Sequence, residues 1–455
     1  MEEVLAELVK LPRAGEYLEI RLEKIRSTRI TLQNSVVERI RQEEDQGGYV
    51  RVLNPKTSWW FHTFGGWDNL QGRVEEAIRA SSTLPASETN VTRGESYREK
   101  IEVELEQDFR HQSLDQKIAL LAEYSQIMRE VSDQIINYTV EYQDRFQEIY
   151  LANTDGSIVY LEKPDISLSF TAVAKQGDTL EIYRNGVAGK AGFEKVRGQE
   201  LLAQEVAKKA VQLLSARSMK GGKYDVILDP VLAGVFIHEA FGHLSESDFL
   251  YRNQPLQSIM SLGKPIASPL LSVFDNGNEE GLRGSSPFDD ELTPTQKTYL
   301  IKNGILSGRL HSRETSFLMR ETPTGNARAI NYHFSPIVRM TNTGIEAGQQ
   351  SKEELLQDID RGLLAVEYLG GNTALELFTF SPSYGYLIEK GQVGEMVKNF
   401  VLSGNLFDTL GKIDGVGNDF RWTEVGGCGK GSQIGLATPT GSPHLRLRDV
   451  LIGGD

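Results

Sequence analysis

From Tyr17 to Asp45 apolar and polar residues alternate (YLEIRLEKIRSTRITLQNSVVERIRQEED), the period of a strand with one wet face. GGYVRVLN and SWWFHTFGG add β-branched and aromatic runs bounded by glycine, and extend the β reading. The spacing turns helical at about Asn69 to Ser82. After a loop rich in Ser, Thr and Glu it is helical again from Ser113 to Val131, with Ser113 as N-cap and Ile118, Leu121, Tyr124 and Met128 on one face. Ile135 to about Ile182 reads as β, with Asp155-Gly156 as a hairpin turn between EIYLANT and SIVYLEK. A further helix is expected from Gly198 to Ser215, with Leu201, Val206, Ala210 and Leu213 at its apolar positions.

Lys220-Gly221-Gly222-Lys223 breaks this pattern and marks the expected domain boundary, giving domains 1–220 and 221–455. The second part opens with YDVILDP, a short strand stopped by Pro230. VLAGVFIHEAFGHLSESDFL then reads as one apolar helix. Short strands and glycine turns follow, with one more helix predicted over SKEELLQDIDRGLLAVE, capped by Ser351 with Glu354 three residues on. The fold class is α+β: a mixed N-terminal domain, then a mostly β domain into which a helix is inserted.

Length supports two cores, since 455 residues exceed what one ordinary core reaches. The net charge of −14, with basic residues scattered, supplies no footprint for a phosphate backbone. Nucleic acid and anionic membrane are therefore not expected partners. MEEVLAELVKLPRAGEYLEI lacks the basic and apolar regions of a secretory signal, and no run reaches the roughly 18 apolar residues of a membrane span. A cytoplasmic location is the expectation. The single cysteine, Cys428, rules out an internal disulfide and leaves packing, ligation or reactivity.

Candidate chemistry gathers in His238-Glu239-Ala240-Phe241-Gly242-His243, directly after the apolar run Val231–Ile237. Two imidazoles and a carboxylate on a buried helix are costly unless paired or bound to a metal. The histidines stand at i and i+5, about 140° apart on a regular α-helix. A π-bulge, which adds one residue to a turn, would bring them to one side, and Gly242 makes such a distortion sterically easy. Catalytic zinc takes three protein ligands and keeps a position for water, and Glu239 is placed to act as general base on that water. Cys428, in the glycine-rich GGCGKG loop, is the leading third ligand, with Lys430 nearby to favour its thiolate. Glu246 and Asp248 are alternatives, as ligand or as acceptors for a ring N–H. GGCGKGSQ is not a phosphate loop, because Glu424 and Gly431 stand where that pattern needs a glycine and a Ser or Thr. His333 and Tyr384 are candidate oxyanion or substrate contacts.

These residues, with PIVRMTNTGIEAG and GGNTALELFTFSPSYGYLIEKGQ in the same order, resemble the TldD/PmbA peptidases, specifically the metal-bearing TldD type. The resemblance covers most of the chain and is strongest from about Gly221 onward. It implies a C-terminal, mostly antiparallel β domain, barrel- or sandwich-like, that holds zinc on His238, His243 and Cys428, with Glu239 catalytic. It further implies hydrolysis of extended or unfolded peptides through a metal-activated water. The expected assembly is a homodimer, or a heterodimer with a metal-free TldE/PmbA-type subunit. Many members carry Glu-Gly-Asp after the second histidine where this chain has Glu246-Ser247-Asp248. The alternative function is a non-catalytic zinc-containing subunit or scaffold of a heteromeric peptidase complex.

Overall fold

The computed structural model describes residues 1–374 and 376–454. β1 (Tyr17–Gln33) and β2 (Val36–Leu53) form a long antiparallel hairpin. Its two turn residues, Asn34 and Ser35, both have positive φ, 50° and 63°, the conformation that matches the right-handed twist of paired strands. β3 (Trp59–Gly65), β4 (Arg98–Ile101), β5 (Ile135–Asn153), β6 (Ile158–Gln176) and β7 (Thr179–Gly189) complete this sheet. The order is β3-β2-β1-β5-β6-β4, and β7 pairs with the remaining length of β6's outer edge. β7 is thus an edge strand.

Two helices cover the β5–β7 face. Leu114–Glu130 starts with the expected Ser113 cap, completed by Gln116 reaching back to the Ser113 backbone; Leu121, Tyr124 and Met128 are buried. Glu200–Ser215 buries Ala203, Val206, Ala207, Ala210 and Leu213. Leu201, expected on that face, is 80% exposed. It lies two residues from Ala203, roughly 200° around the helix, and so points away from the stripe.

In the C-terminal half five strands close into a ring. Gly222–Leu228 pairs parallel with Arg361–Ala374 and antiparallel with Leu445–Gly453. Val401–Asn405 joins Leu445–Gly453 to Leu377–Glu389, which returns to Arg361–Ala374. All but the first of these pairings are antiparallel, so the chain as a whole is α+β with a closed β barrel. A sheet of short strands, including Val273–Asn276, Thr343–Ile345 and Thr440–Ser442, stands beside the ring.

The helix Pro230–Ile237 lies between this sheet and the ring. Asp229 caps it by accepting the Leu232 N–H, and Phe236 packs edge-on against Phe378 and Phe380 of the ring. No helix among the described residues is long and apolar enough to cross a membrane.

The helix predicted over SKEELLQDIDRGLLAVE ends early. It spans only Lys352–Gln357, with the Ser351–Glu354 cap in place, and the chain from Arg361 is a barrel strand. Leu363, Leu364 and Ala365 are all buried because both strand faces are covered, and a continuous apolar run of this kind carries no period that separates strand from helix. Gly362 fixes the strand's approach: a Cβ there would lie 2.5 Å from the Asp225 carbonyl oxygen.

Candidate metal centre

The helix Pro230–Ile237 widens into a single π turn over His238–Gly242, followed by a 3-10 turn over His243–Ser245. The extra residue in the turn brings the two imidazoles to one side, their ring centroids 5.2 Å apart and their planes at 82°. Gly242 serves the turn differently from the expectation. Its φ is −54°, open to any residue, but a Cβ would sit 2.2 Å from Met340 Sδ. The glycine is needed for space, not for backbone freedom.

Cys428 begins a short hairpin strand (Cys428–Lys430) that pairs with Gln433–Leu436. Arg339, fully buried, donates to the Cys428 carbonyl at 2.8 Å and fixes the hairpin. Cys428 Sγ lies 3.3 Å from His243 Nε2. His238, His243 and Cys428 each present a ligand atom, all within 4.8 Å of one another. His238 is 4% exposed and its Nδ1 has no hydrogen-bond partner. Burial, with the charges of His243 and Arg339 adding to it, holds this imidazole neutral by pulling its pKa down to about 3. An orphaned, neutral ring nitrogen beside a second imidazole and a thiol is a donor set that fits a divalent metal.

Behind the imidazoles sits a buried carboxylate. Glu246 Oε2 is 2.9 Å from His243 Nδ1 and 3.0 Å from Lys430 Nζ. Burial opposes the Glu246 charge, yet the His243 hydrogen bond and the Lys430 ammonium outweigh it and hold the carboxyl below its usual range. With Nδ1 occupied by Glu246, the Nε2 of His243 is the nitrogen turned to Cys428. Lys430 also pairs with Asp248 at 2.7 Å and donates to the Val338 carbonyl. Its ammonium is therefore engaged by two carboxylates and a carbonyl.

Glu239 faces an open cleft of about 600 Å³. Its Oε2 stands 3.9 Å from His243 Nε2. Burial raises its carboxyl, His243 works against that rise, and Glu246 adds to it. Tyr183 and Asn185 of β7, Glu367, Tyr368 and the loop Val425–Cys428 form the other walls. Glu367 and Tyr183 escaped the sequence reading. Glu367 has φ of 56°, costly for a non-glycine residue, and accepts the Tyr183 hydroxyl at 2.6 Å. Burial pushes its carboxyl up to about 7, against the pull of that hydrogen bond and with the Asp229 charge adding.

The two remaining candidates lie elsewhere. Tyr384 is buried behind the cleft wall, edge-on to Tyr183 with Lys209 Nζ 4.5 Å from its ring centre. His333 is half exposed, stacked on Tyr332 and 3.5 Å from Asp45 near β2. Neither belongs to the cleft lining.

Comparison with known proteins accords with this arrangement. Residues 221–454 match the PmbA/TldA metallopeptidase C-terminal domain, 107–214 its central domain and 18–81 its domain 1. A metalloprotease of Synechocystis sp. is 42% identical over 97% of this chain and 95% of its own length. One from Methanocaldococcus jannaschii is 35% identical over 94% and 95%. Among solved structures, TldE from Thermococcus kodakarensis has the same fold, with a TM-score of 0.80 at 17% identity over the whole of both chains. A Thermotoga maritima protein described as a candidate modulator of a DNA gyrase superposes with a TM-score of 0.81 at 22% identity over 99% of each. With every one of the three domains matched in order and full-length relatives above 30% identity, the chain belongs to the TldD/PmbA family of metallopeptidases.

Proposed function

We propose that this chain is a zinc-dependent peptidase acting on extended or unfolded peptides, with His238, His243 and Cys428 as metal ligands and Glu239 as general base. The observation that carries the reading is the π turn. It sets both imidazoles against the Cys428 thiol while leaving the neighbouring carboxylate of Glu239 in the cleft. Two imidazoles and a thiolate suit zinc, and three protein ligands fit a catalytic site better than a structural one, which is closed by four. When bound, zinc supplies Lewis acidity toward a carbonyl and lowers the pKa of water.

Glu239 Oε2 accepts a proton from the attacking water and passes it to the leaving amine. Glu246 orients His243 through Nδ1. β7, an edge strand on the cleft wall, offers its free backbone edge to an extended peptide, a mode that fixes the main chain and tolerates varied side chains. Exposed Ile182, Leu369 and Val425 around the cleft suit apolar substrate side chains. The likeness to TldE supports assembly with a TldE-type subunit or with a second copy. A cytoplasmic location keeps the lone thiol reduced.

The test is Glu239→Gln in zinc-loaded protein, assayed with unstructured peptides alongside its partner subunit. Retained zinc with activity down by about 10²-fold or more is expected; undiminished cleavage would refute the mechanism. A wild type holding zinc but inert toward every peptide, even with the partner, would favour the scaffold reading. N-methylated peptides bound as tightly as their parents would exclude strand addition.

A further inference from the structure

Behind the hairpin that carries Cys428 lies a second cavity, more enclosed and about 80 Å³ in volume, between β5–β6 and the C-terminal half. Arg21, Arg145, Lys163, Lys190, Arg283 and Arg328 line it, against only two lining carboxylates, Asp165 and Asp290. Both carboxylates are engaged. Asp165 takes the Arg283 fork through its two oxygens, at 2.5 and 2.8 Å. Asp290 lies 2.7 Å from Arg21 and 3.6 Å from Lys163. Glu23, outside the lining, meets Arg21 at 3.0 Å and stands 3.9 Å from Arg145.

Among the described residues Arg328 and Lys190 have no carboxylate at ion-pair distance. The Arg328 guanidinium donates only to the carbonyls of Met340 and Ala437. Among the described residues these six cations thus meet three carboxylates at ion-pair distance, in a partly buried space where unpaired charge is costly. The strain shows in the groups themselves: burial pulls Lys163, Lys190 and Arg328 below their usual ranges, neighbouring cations add to it, and Asp290 offsets it only in part at Lys163 and Arg328.

We propose that this cavity binds a small, multiply charged oxyanion of the phosphate class. A monocarboxylate answers one of three surplus charges, whereas a tetrahedral dianion answers two and presents its oxygens to several guanidinium and ammonium donors at once. The volume admits a free anion or a single terminal phosphoryl group, not a nucleotide. The site adjoins the metal-site hairpin: Leu436, which pairs with Cys428, lines it. Arg283 also holds the carbonyls of Glu424 and Gly426 that lead into Cys428.

The experiment is calorimetric titration of zinc-loaded, full-length protein with inorganic phosphate at constant ionic strength, with acetate and a phosphate monoester as comparators. Lys190→Gln and Lys163→Gln are titrated in parallel, their folding checked by circular dichroism. Neither residue belongs to the candidate metal centre, and Lys190 makes no side-chain hydrogen bond among the described residues. Saturable binding at one site is expected, weakened about tenfold in each variant, with acetate at least tenfold weaker than phosphate. Monoester binding as tight as phosphate would make a phosphorylated molecule the natural occupant; monoester exclusion would make it the free anion. Absence of saturable phosphate binding overturns the proposal. So does affinity unchanged in both variants, which would place the phosphate on the metal instead.

Discussion

Substitution of Gly242 by alanine tests the physical account of the π turn at the candidate metal centre. The added methyl would sit 2.2 Å from Met340 Sδ and 3.1 Å from its Cε, where carbon–sulfur contact needs nearly 4 Å. Met340 is completely buried, and its backbone N–H is directed at Glu246 Oε1, the carboxylate that orients His243. Relief requires either a new methionine rotamer in a filled core or a shift of that backbone, and overpacking of this kind costs about 1–3 kcal/mol. Urea denaturation of the metal-free protein should show that loss, and competition with a chromophoric chelator should show weakened zinc affinity. In the Gly242→Ala background, Met340→Ala should cost at least ~1 kcal/mol less than it does alone, because the deleted side chain is the one that clashes. A Gly242→Ala protein within about 0.5 kcal/mol of wild type, with unchanged zinc affinity, would refute the idea that close approach dictates this glycine.

Glu246→Gln should lower zinc affinity about 10- to 100-fold by removing the charge that orients His243, with zinc competition as the readout. Cys428→Ala should reduce bound zinc well below one per chain by elemental analysis, whereas His333→Ala should leave it unchanged. Glu367 gives a pH signature. Its folded pKa, about 7, lies above the usual 4.5, so between those values the folded state keeps a proton that the unfolded state has released. Stability should therefore fall as pH rises from about 4.5 to 7, by a total on the order of 3 kcal/mol. Glu367→Gln should flatten that slope in denaturation curves collected from pH 4.5 to 8, and an unaltered slope would assign it to other groups.

The helix carrying the candidate ligands was legible in sequence because the two histidines sit one residue out of phase on a segment too apolar to be exposed. A local π turn resolves both facts. The reason for Gly242 was not legible, since Met340 reaches it from a distant part of the chain. Lys430 could be seen near Cys428 but not its preference for Glu246 and Asp248, which arrive from the helix side. Glu367 and Tyr183 carry no local signal: one lies in a run whose buried apolar neighbours mimic a helix, the other on a strand of the N-terminal sheet. Their meeting in the cleft depends on how the ring and that sheet abut. Tyr384 and His333 were drawn by residue type alone, and burial and pairing place them elsewhere.

One strand, Leu445–Gly453, closes the barrel. Leu445–Gly453 is the slat between Gly222–Leu228 and Val401–Asn405, and without it the ring is open on both edges. During synthesis, His238 and Glu239 leave the ribosome some two hundred residues before that slat exists, and Cys428 precedes it by fewer than twenty. A nascent or truncated chain can thus carry His238, His243 and Cys428, the candidate ligands, while lacking the closed frame that orients them.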